Sequence, residues 1–283
     1  MRIANVAGRA VIVLDHGLID VHESSKGRFP SQSAPLLTRL AELHDWLERD
    51  QPAATSSLGP HEVAQLTELG PVVDAPSQVF AVGLNYRTHA AEMGLTPPGQ
   101  PMIFAKFASS LAGARATFAL PSAHVDWEAE LVVVIGRGGR NIAPADALDA
   151  VAGYCVGQDL SDRDLQMVGS PPQFSLGKSH RNFAPVGPWI TTVDEVGDPQ
   201  DLRIQCTVNG TMYQDSSTQD MVFSVREIIA YLSRVCELRP GDLIFTGTPN
   251  GVGQGLHPPV FLHSGDEVVT TIGGLGTLRN RAE

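Results

Sequence analysis

The stretch Val125–Gly139, VDWEAELVVVIGRGG, decides what kind of body this chain builds. Residues Glu128 to Ile135 read as a strongly apolar strand that stops at Gly136. Side chains alternate along a strand, so Glu128 and Glu130, two apart at its head, point to the same face. Two like charges so placed repel, and a cation between them relieves the repulsion. A site made only of carboxylate oxygens selects hard ions such as Mg²⁺, Mn²⁺ or Ca²⁺ over zinc. Taken alone, a Glu-x-Glu pair is also what a solvated strand face carries.

Around that strand the chain reads as more of the same. Strands are expected at Val79 to Val82, Tyr154 to Gln158, Trp189 to Val193, Arg203 to Val208, Leu243 to Thr246 and Glu267 to Ile272, most of them separated by Gly, Pro or Asn clusters. One helix interrupts: Ser224 and Glu227 form a capping box, Val225, Ile228, Ile229, Leu232, Val235 and Cys236 make an apolar stripe, and Pro240-Gly241 closes it. Before Val79 the pattern differs. Short apolar runs broken by Gly8 and Gly17 read as hairpins, and Leu36, Leu37, Leu40, Leu43 and Leu47 predict a helix over 34–49. A Pro-rich connector spans 51–77. The expectation is a mainly β, α+β protein, with a small N-terminal α+β domain over 1–74 and a β-rich domain over 75–283.

Composition bounds the partners. With 283 residues the chain buries a real core, and 28 Gly with 20 Pro imply many turns. A formal charge of -11 argues against nucleic acid and anionic membrane, which need a basic face, and favours a small-molecule partner. No apolar run approaches the roughly 18 residues of a membrane helix. The start lacks the pattern of a secretory leader. Cys155, Cys206 and Cys236 show no CxxC spacing and read as reduced core thiols of a cytoplasmic protein.

Three further segments could carry chemistry. In GYCVGQDLSDRDLQ (153–166), Asp159 closes an apolar strand, where ligands often bind, and a polar cluster with Ser161, Asp162, Arg163, Asp164 and Gln166 follows. A turn-capping role explains Asp159 equally well on spacing alone. In GLNYRTHAAEM (83–93), a helical turn makes His89 and Glu92 neighbours at i and i+3, so the carboxylate orients the imidazole as a general base would need; a surface His-Glu pair looks the same. Finally, the chain has only three lysines. Lys106 and Lys178 lie between apolar or Gly-rich segments, where a cation could polarise a carbonyl or hold a carboxylate. FTGTPNGVG (245–253) adds a Gly-rich turn able to meet an anionic group; it lacks the ending of a P-loop.

In this order, GLNYRTHAAEMG, MIFAKFASSL, DWEAELVVVIG, GYCVGQDLSDRDLQ, GKSHRNFAPVGPW, GDLIFTGTPNGVG and GDEVVTTIGGLGTLRN resemble the fumarylacetoacetate hydrolase superfamily from about Gln78 to Arg279. The resemblance implies that family's mixed β roll, commonly a homodimer, with Mg²⁺ or a similar ion on Glu128, Glu130 and Asp159. It implies that His89 and Glu92 activate water, that Lys178 faces the substrate's oxygens, and that Arg163, Gln166 and Thr248 contact substrate. The implied substrates are 2,4-diketo or related 2-oxo acids. The leading expectation is hydrolysis of an acylpyruvate between C3 and C4 through an enolate. The alternatives are an oxaloacetate-type decarboxylase, a 2-hydroxy-dienoate isomerase, or a non-catalytic metal- or metabolite-binding protein. Two positions depart from the pattern: Arg181 stands where many members carry an aspartate three residues after the lysine, leaving Arg181 free to recognise a second carboxylate, and Gln158 stands where asparagine is frequent. Loops Gly94 to Gln100 and Gln254 to Pro259 are expected to shape selectivity.

Overall fold

The computed structural model describes residues 1–283. Its centre is the strand Ala129–Ile135, buried along its whole length because both of its faces are covered. Leu131, Val133 and Ile135 enter one apolar core, and Val132 and Val134 enter a second on the opposite side. A run of β-branched residues is what such a doubly covered strand requires.

A ten-stranded mixed sheet extends from this centre. On one side Ala129–Ile135 pairs with Val151–Gln158, which pairs with Ala184–Thr192. On the other it pairs with Leu243–Phe245, followed by Val79–Gly83 and Met102–Ala105. A second sheet of five strands, led by Arg203–Val208, Thr211–Ser217, Glu267–Ile272 and Gly276–Ala282, packs across the first. The fold is mainly β with short helices, the α+β class expected.

Several element boundaries differ from the expectation. The strand placed at Trp189 to Val193 begins at Ala184 and ends at Thr192, running through Pro185 and Pro188, whose missing N–H groups hid it. Thr211–Ser217 is a strand although it is polar, because its outer side is exposed. Asn209 and Gly210, both at positive φ, turn the chain back into it, the residue pair that a two-residue hairpin favours. The helix over 34–49 is broken into Ser33–Leu36, a tighter turn Leu37–Arg39, and Leu40–Asp50. The capped helix forms as Val225–Val235 with its capping box intact.

The N-terminal strands Arg2–Val6, Arg9–Leu14 and Gly17–Asp20 join the large sheet, since Arg2 and Ile3 pair with Thr191 and Ile190. The helical segments after them lay Leu36, Leu37, Leu43 and Trp46 into the second core. No helix is long and apolar enough to cross a membrane.

Candidate active site

Glu128 lies one residue before the central strand and Glu130 inside it, on the same face, as alternation requires. Asp159 follows the last residue of the neighbouring strand, and its N–H donates to the Glu128 carbonyl at 2.9 Å. Three carboxylates, all buried, therefore present oxygens within 4.8 Å of one another.

Two lysines answer part of that charge. Lys178 Nζ donates to Glu128 Oε2, Asp159 Oδ2 and Ser161 Oγ, each at 2.8 Å. Lys106 grips the other oxygen of Asp159 and also donates to the Lys178 carbonyl, so it holds the lysine's backbone while sharing its carboxylate. Arg163 Nη1 reaches Glu128 Oε1 at 2.8 Å. Burial pushes the Glu128 carboxyl up, but Lys178 and Arg163 outweigh it and hold it at about 2. Glu130 has no such cation: burial, then Asp159 and Glu128, drive it well above the usual carboxylate range. Its only hydrogen bond comes from Gly247 N at 2.8 Å. An all-oxygen set with one uncompensated buried carboxylate fits a hard divalent cation.

The cluster opens onto a cavity of about 140 Å³. Its polar wall carries Glu128, Lys178, Arg163, Gln166, Thr248 and Gln254; Leu84, Met93, Phe104 and Phe174 are among its apolar residues. His89 lines it too, on the short helix Arg87–Glu92, with Nδ1 at 3.2 Å from Glu92 Oε2. Glu92 is itself fixed by Gly251 N, which donates to Oε1 at 2.8 Å. The imidazole is thereby held at one nitrogen, leaving Nε2 for the cavity.

The structure brings together every residue singled out as metal ligand, base, lysine or substrate contact. Arg181 is the exception to the expectations. It is exposed and lines no part of the cavity, because the chain turns outward after Lys178; the suggested role in recognising a second carboxylate is thereby corrected. Gln158 accepts from Glu128 N at 2.6 Å and so braces the glutamate backbone. Of the two loops expected to shape selectivity, Leu95 and Gln254 reach the cavity. Asp126 was overlooked: it is buried beside Arg163, and nothing in VDWE distinguishes it from a turn aspartate.

This fold, with its buried carboxylates beside a small cavity, is that of an enzyme family. The chain belongs to the fumarylacetoacetate hydrolase family, whose fumarylacetoacetate (FAA) hydrolase C-terminal pattern matches residues 78–283. It is 46% identical over 220 residues, 77% of this chain and 70% of the other, to the mitochondrial oxaloacetate tautomerase FAHD2B of Bos taurus. A solved structure from Mycobacterium smegmatis described as an HpcE protein superposes with a TM-score of 0.93 at 47% identity, covering 100% of this chain and 99% of that one. The maleylpyruvate hydrolase of Sphingobium sp. SYK-6, solved with manganese (II) and pyruvate, gives a TM-score of 0.80 at 30% identity, covering 100% and 98%.

Proposed function

We propose that this chain is a divalent-cation-dependent enzyme that carries a small 2-oxo acid through its enolate, with keto–enol tautomerisation of an oxaloacetate-type acid as its reaction. The observation that supports this most is that Glu128, the outer member of the buried cluster with Glu130 and Asp159, lines the same small cavity as His89, which Glu92 holds from behind. At about 140 Å³ the cavity is smaller than the roughly 300–1,000 Å³ of ordinary ligand pockets, which suits a short acid. The tautomerase relatives support the same reaction.

Mg²⁺ or Mn²⁺, with Ca²⁺ as a third hard candidate, would sit on Glu128, Glu130 and Asp159 and stabilise the charge that grows on the 2-oxo oxygen. The chain's own groups supply the rest. Lys178 adds a fixed positive charge beside that oxygen. Arg163, Gln166 and Thr248 bind and orient the acid. His89, held at Nδ1 by Glu92, takes a proton at Nε2 from the carbon next to the 2-oxo group and returns it. The apolar wall keeps bulk water away from the enolate.

A second reading is hydrolysis of an acylpyruvate, favoured by the His89–Glu92 pair: His89 takes its proton from water instead, the hydroxide adds to the distal carbonyl, and the C3–C4 bond breaks to release the free acid and the pyruvate enolate, which takes a proton back from His89. The maleylpyruvate hydrolase neighbour supports it. Either reading suits a homodimer in a reducing cytoplasmic setting, and the three unpaired cysteines support the latter.

NMR-monitored turnover of oxaloacetate, short acylpyruvates and a 2-hydroxy-dienoate, each with Mg²⁺ or Mn²⁺ and with EDTA, tests this. Cation-dependent acceleration of enol–keto exchange upholds the tautomerase reading. Release of pyruvate and a free acid establishes the hydrolase, loss of carbon dioxide a decarboxylase, and no turnover of any acid overturns both readings.

A further inference from the structure

Asp126 takes no part in the reading above, yet it is wholly buried and accepts five hydrogen bonds. Oδ1 accepts from Trp127 N at 2.8 Å and from Gly253 N at 2.7 Å. Oδ2 accepts from Arg163 Nε at 2.9 Å, Arg163 Nη2 at 2.6 Å and Gln254 N at 3.0 Å. One carboxylate thus ties a turn to an arginine.

Each of the two leads to a different end of the cavity. Arg163 continues through Nη1 to Gln166 Oε1 at 2.9 Å and to Glu128 Oε1 at 2.8 Å. The turn continues to the base: Gly251 N donates to Glu92 Oε1, and Glu92 holds His89. Trp127 Nε1 donates to the Gly251 carbonyl at 3.0 Å, so the residue beside Asp126 pins the same turn. The turn has no slack. A Cβ on Gly253 would meet the Val260 carbonyl at 1.9 Å and Asp126 Oδ1 at 2.8 Å, and one on Gly255 would meet Glu92 Cδ at 2.4 Å.

We propose that Asp126 is a positioning residue that fixes Arg163 and the Gly251–Gly255 turn from a single carboxylate, and so sets the spacing between the His89–Glu92 pair and the Glu128 end of the cavity. This rests on the functional reading above, in which both ends work on one substrate. Chemistry makes the role specific to a carboxylate: every partner of Asp126 is a donor, so an amide in its place has an NH₂ group facing N–H groups whichever way it lies.

The test is a cycle of Asp126→Asn, Glu92→Gln and the double variant, assayed on the 2-oxo acid that the wild type turns over, with amide hydrogen exchange on each. Asp126→Asn should lower kcat on the order of 10²-fold, the cost of a small misplacement of working groups, and raise KM as Arg163 loosens. In kcat the double variant should be no slower than Glu92→Gln alone, because both changes reach the base through one turn, while the KM rise of Asp126→Asn should persist in it. Independent, multiplying losses, or a kcat loss with KM unchanged, would show a merely structural residue and overturn the proposal. Exchange should quicken both over 251–255 and over Arg87–Glu92; quickening confined to the first segment, or absent, overturns it as well. That arm stands even if the wild type turns over no 2-oxo acid, an outcome that sinks the functional reading alone. Should Asp126→Asn not fold, Asp126→Glu, which keeps the charge and moves it by one methylene, replaces it in the same cycle.

Discussion

The Lys178 ammonium lies 2.8 Å from Asp159 Oδ2, with both side chains buried, and the same ammonium spans to Glu128. Breaking a buried pair by removing one partner costs about 3–5 kcal/mol, because a charge is left behind without compensation. Lys178→Met should therefore destabilise the cation-free protein by about that much, measured by urea unfolding in EDTA. In Mn²⁺ the loss should shrink, since the ion replaces the missing charge beside the two carboxylates. Equal losses in EDTA and in Mn²⁺ would mean that no ion reaches this cluster. Turnover should be lost in both conditions.

Glu130 gives the opposite sign. It is buried with two carboxylates and has one hydrogen bond, from Gly247. Burial and the two neighbouring carboxylates oppose the ionisation of Glu130, so Glu130→Gln replaces a carboxyl that is costly to charge, and the cation-free variant should be at least as stable as the wild type. In the proposed function the same change also removes a charged oxygen from the cation's ligand set. For wild type, Mn²⁺ at a hundred times its Kd adds about 2.7 kcal/mol of stability; the variant should show little of this gain at the same concentration. Thermal unfolding with and without Mn²⁺ measures both halves, and an undiminished Mn²⁺ shift would remove Glu130 from the ligand set.

The thiols give a prediction with a pH direction. Cys155 and Cys206 are buried, and burial pushes Cys206 up to about 12 and Cys155 higher than the ordinary thiol range. The thiolate is the reactive form, so both stay inert while the fold is intact, even well above pH 8. Cys236, partly exposed at the end of Val225–Val235, should be the one thiol that reacts quickly with a chromogenic disulfide reagent in the native protein. All three should react in denaturant. Three fast thiols without denaturant would contradict this packing.

What the sequence made legible follows from how local each signal is. The central strand declared itself because five consecutive aliphatic residues, Leu131 to Ile135, suit a strand covered on both faces and little else. The Val225–Val235 helix did so through a capping box that spans only four residues, Ser224 to Glu227. The site's residues sat in short motifs, which the strand ends then bring together: Glu128, Glu130 and Asp159 are separated by at most 31 positions and lie at or beside the ends of two adjacent strands.

Long-range pairings were not legible. Nothing near Arg2–Val6 says that it pairs with Ala184–Thr192, and the prolines of that partner hid its first half. Thr211–Ser217 lacked the apolar alternation that would have marked it, although the Asn209-Gly210 pair was a usable hint. Asp126 and Gln214 were hidden for a related reason. Each is a buried polar residue whose partners lie far along the chain: Gln214 accepts from Ala129 N at 2.9 Å and donates to Thr248 Oγ1 at 2.8 Å, joining the second sheet to the cavity. A polar residue reads as surface until its hydrogen bonds are seen.

Gly255 tests whether the base depends on its surroundings. A Cβ at this position would stand 2.4 Å from Glu92 Cδ and 2.8 Å from Glu92 Oε1, so the carboxylate must move away if one is added. Gly255 is not at positive φ, and the substitution Gly255→Ala therefore brings a clash with Glu92 rather than backbone strain. The fold should survive, because the turn is still held at Gly253 and Gln254 by Asp126. The expected result is a kcat lowered on the order of 10²-fold, from an imidazole that has lost its orienting partner. Mn²⁺ binding should be unchanged, because Glu128, Glu130 and Asp159 do not touch Gly255. Calorimetric titration with Mn²⁺ beside a turnover assay separates the two effects: full activity would show that Glu92 is dispensable, and lost Mn²⁺ binding would show that the two ends of the cavity are not separable.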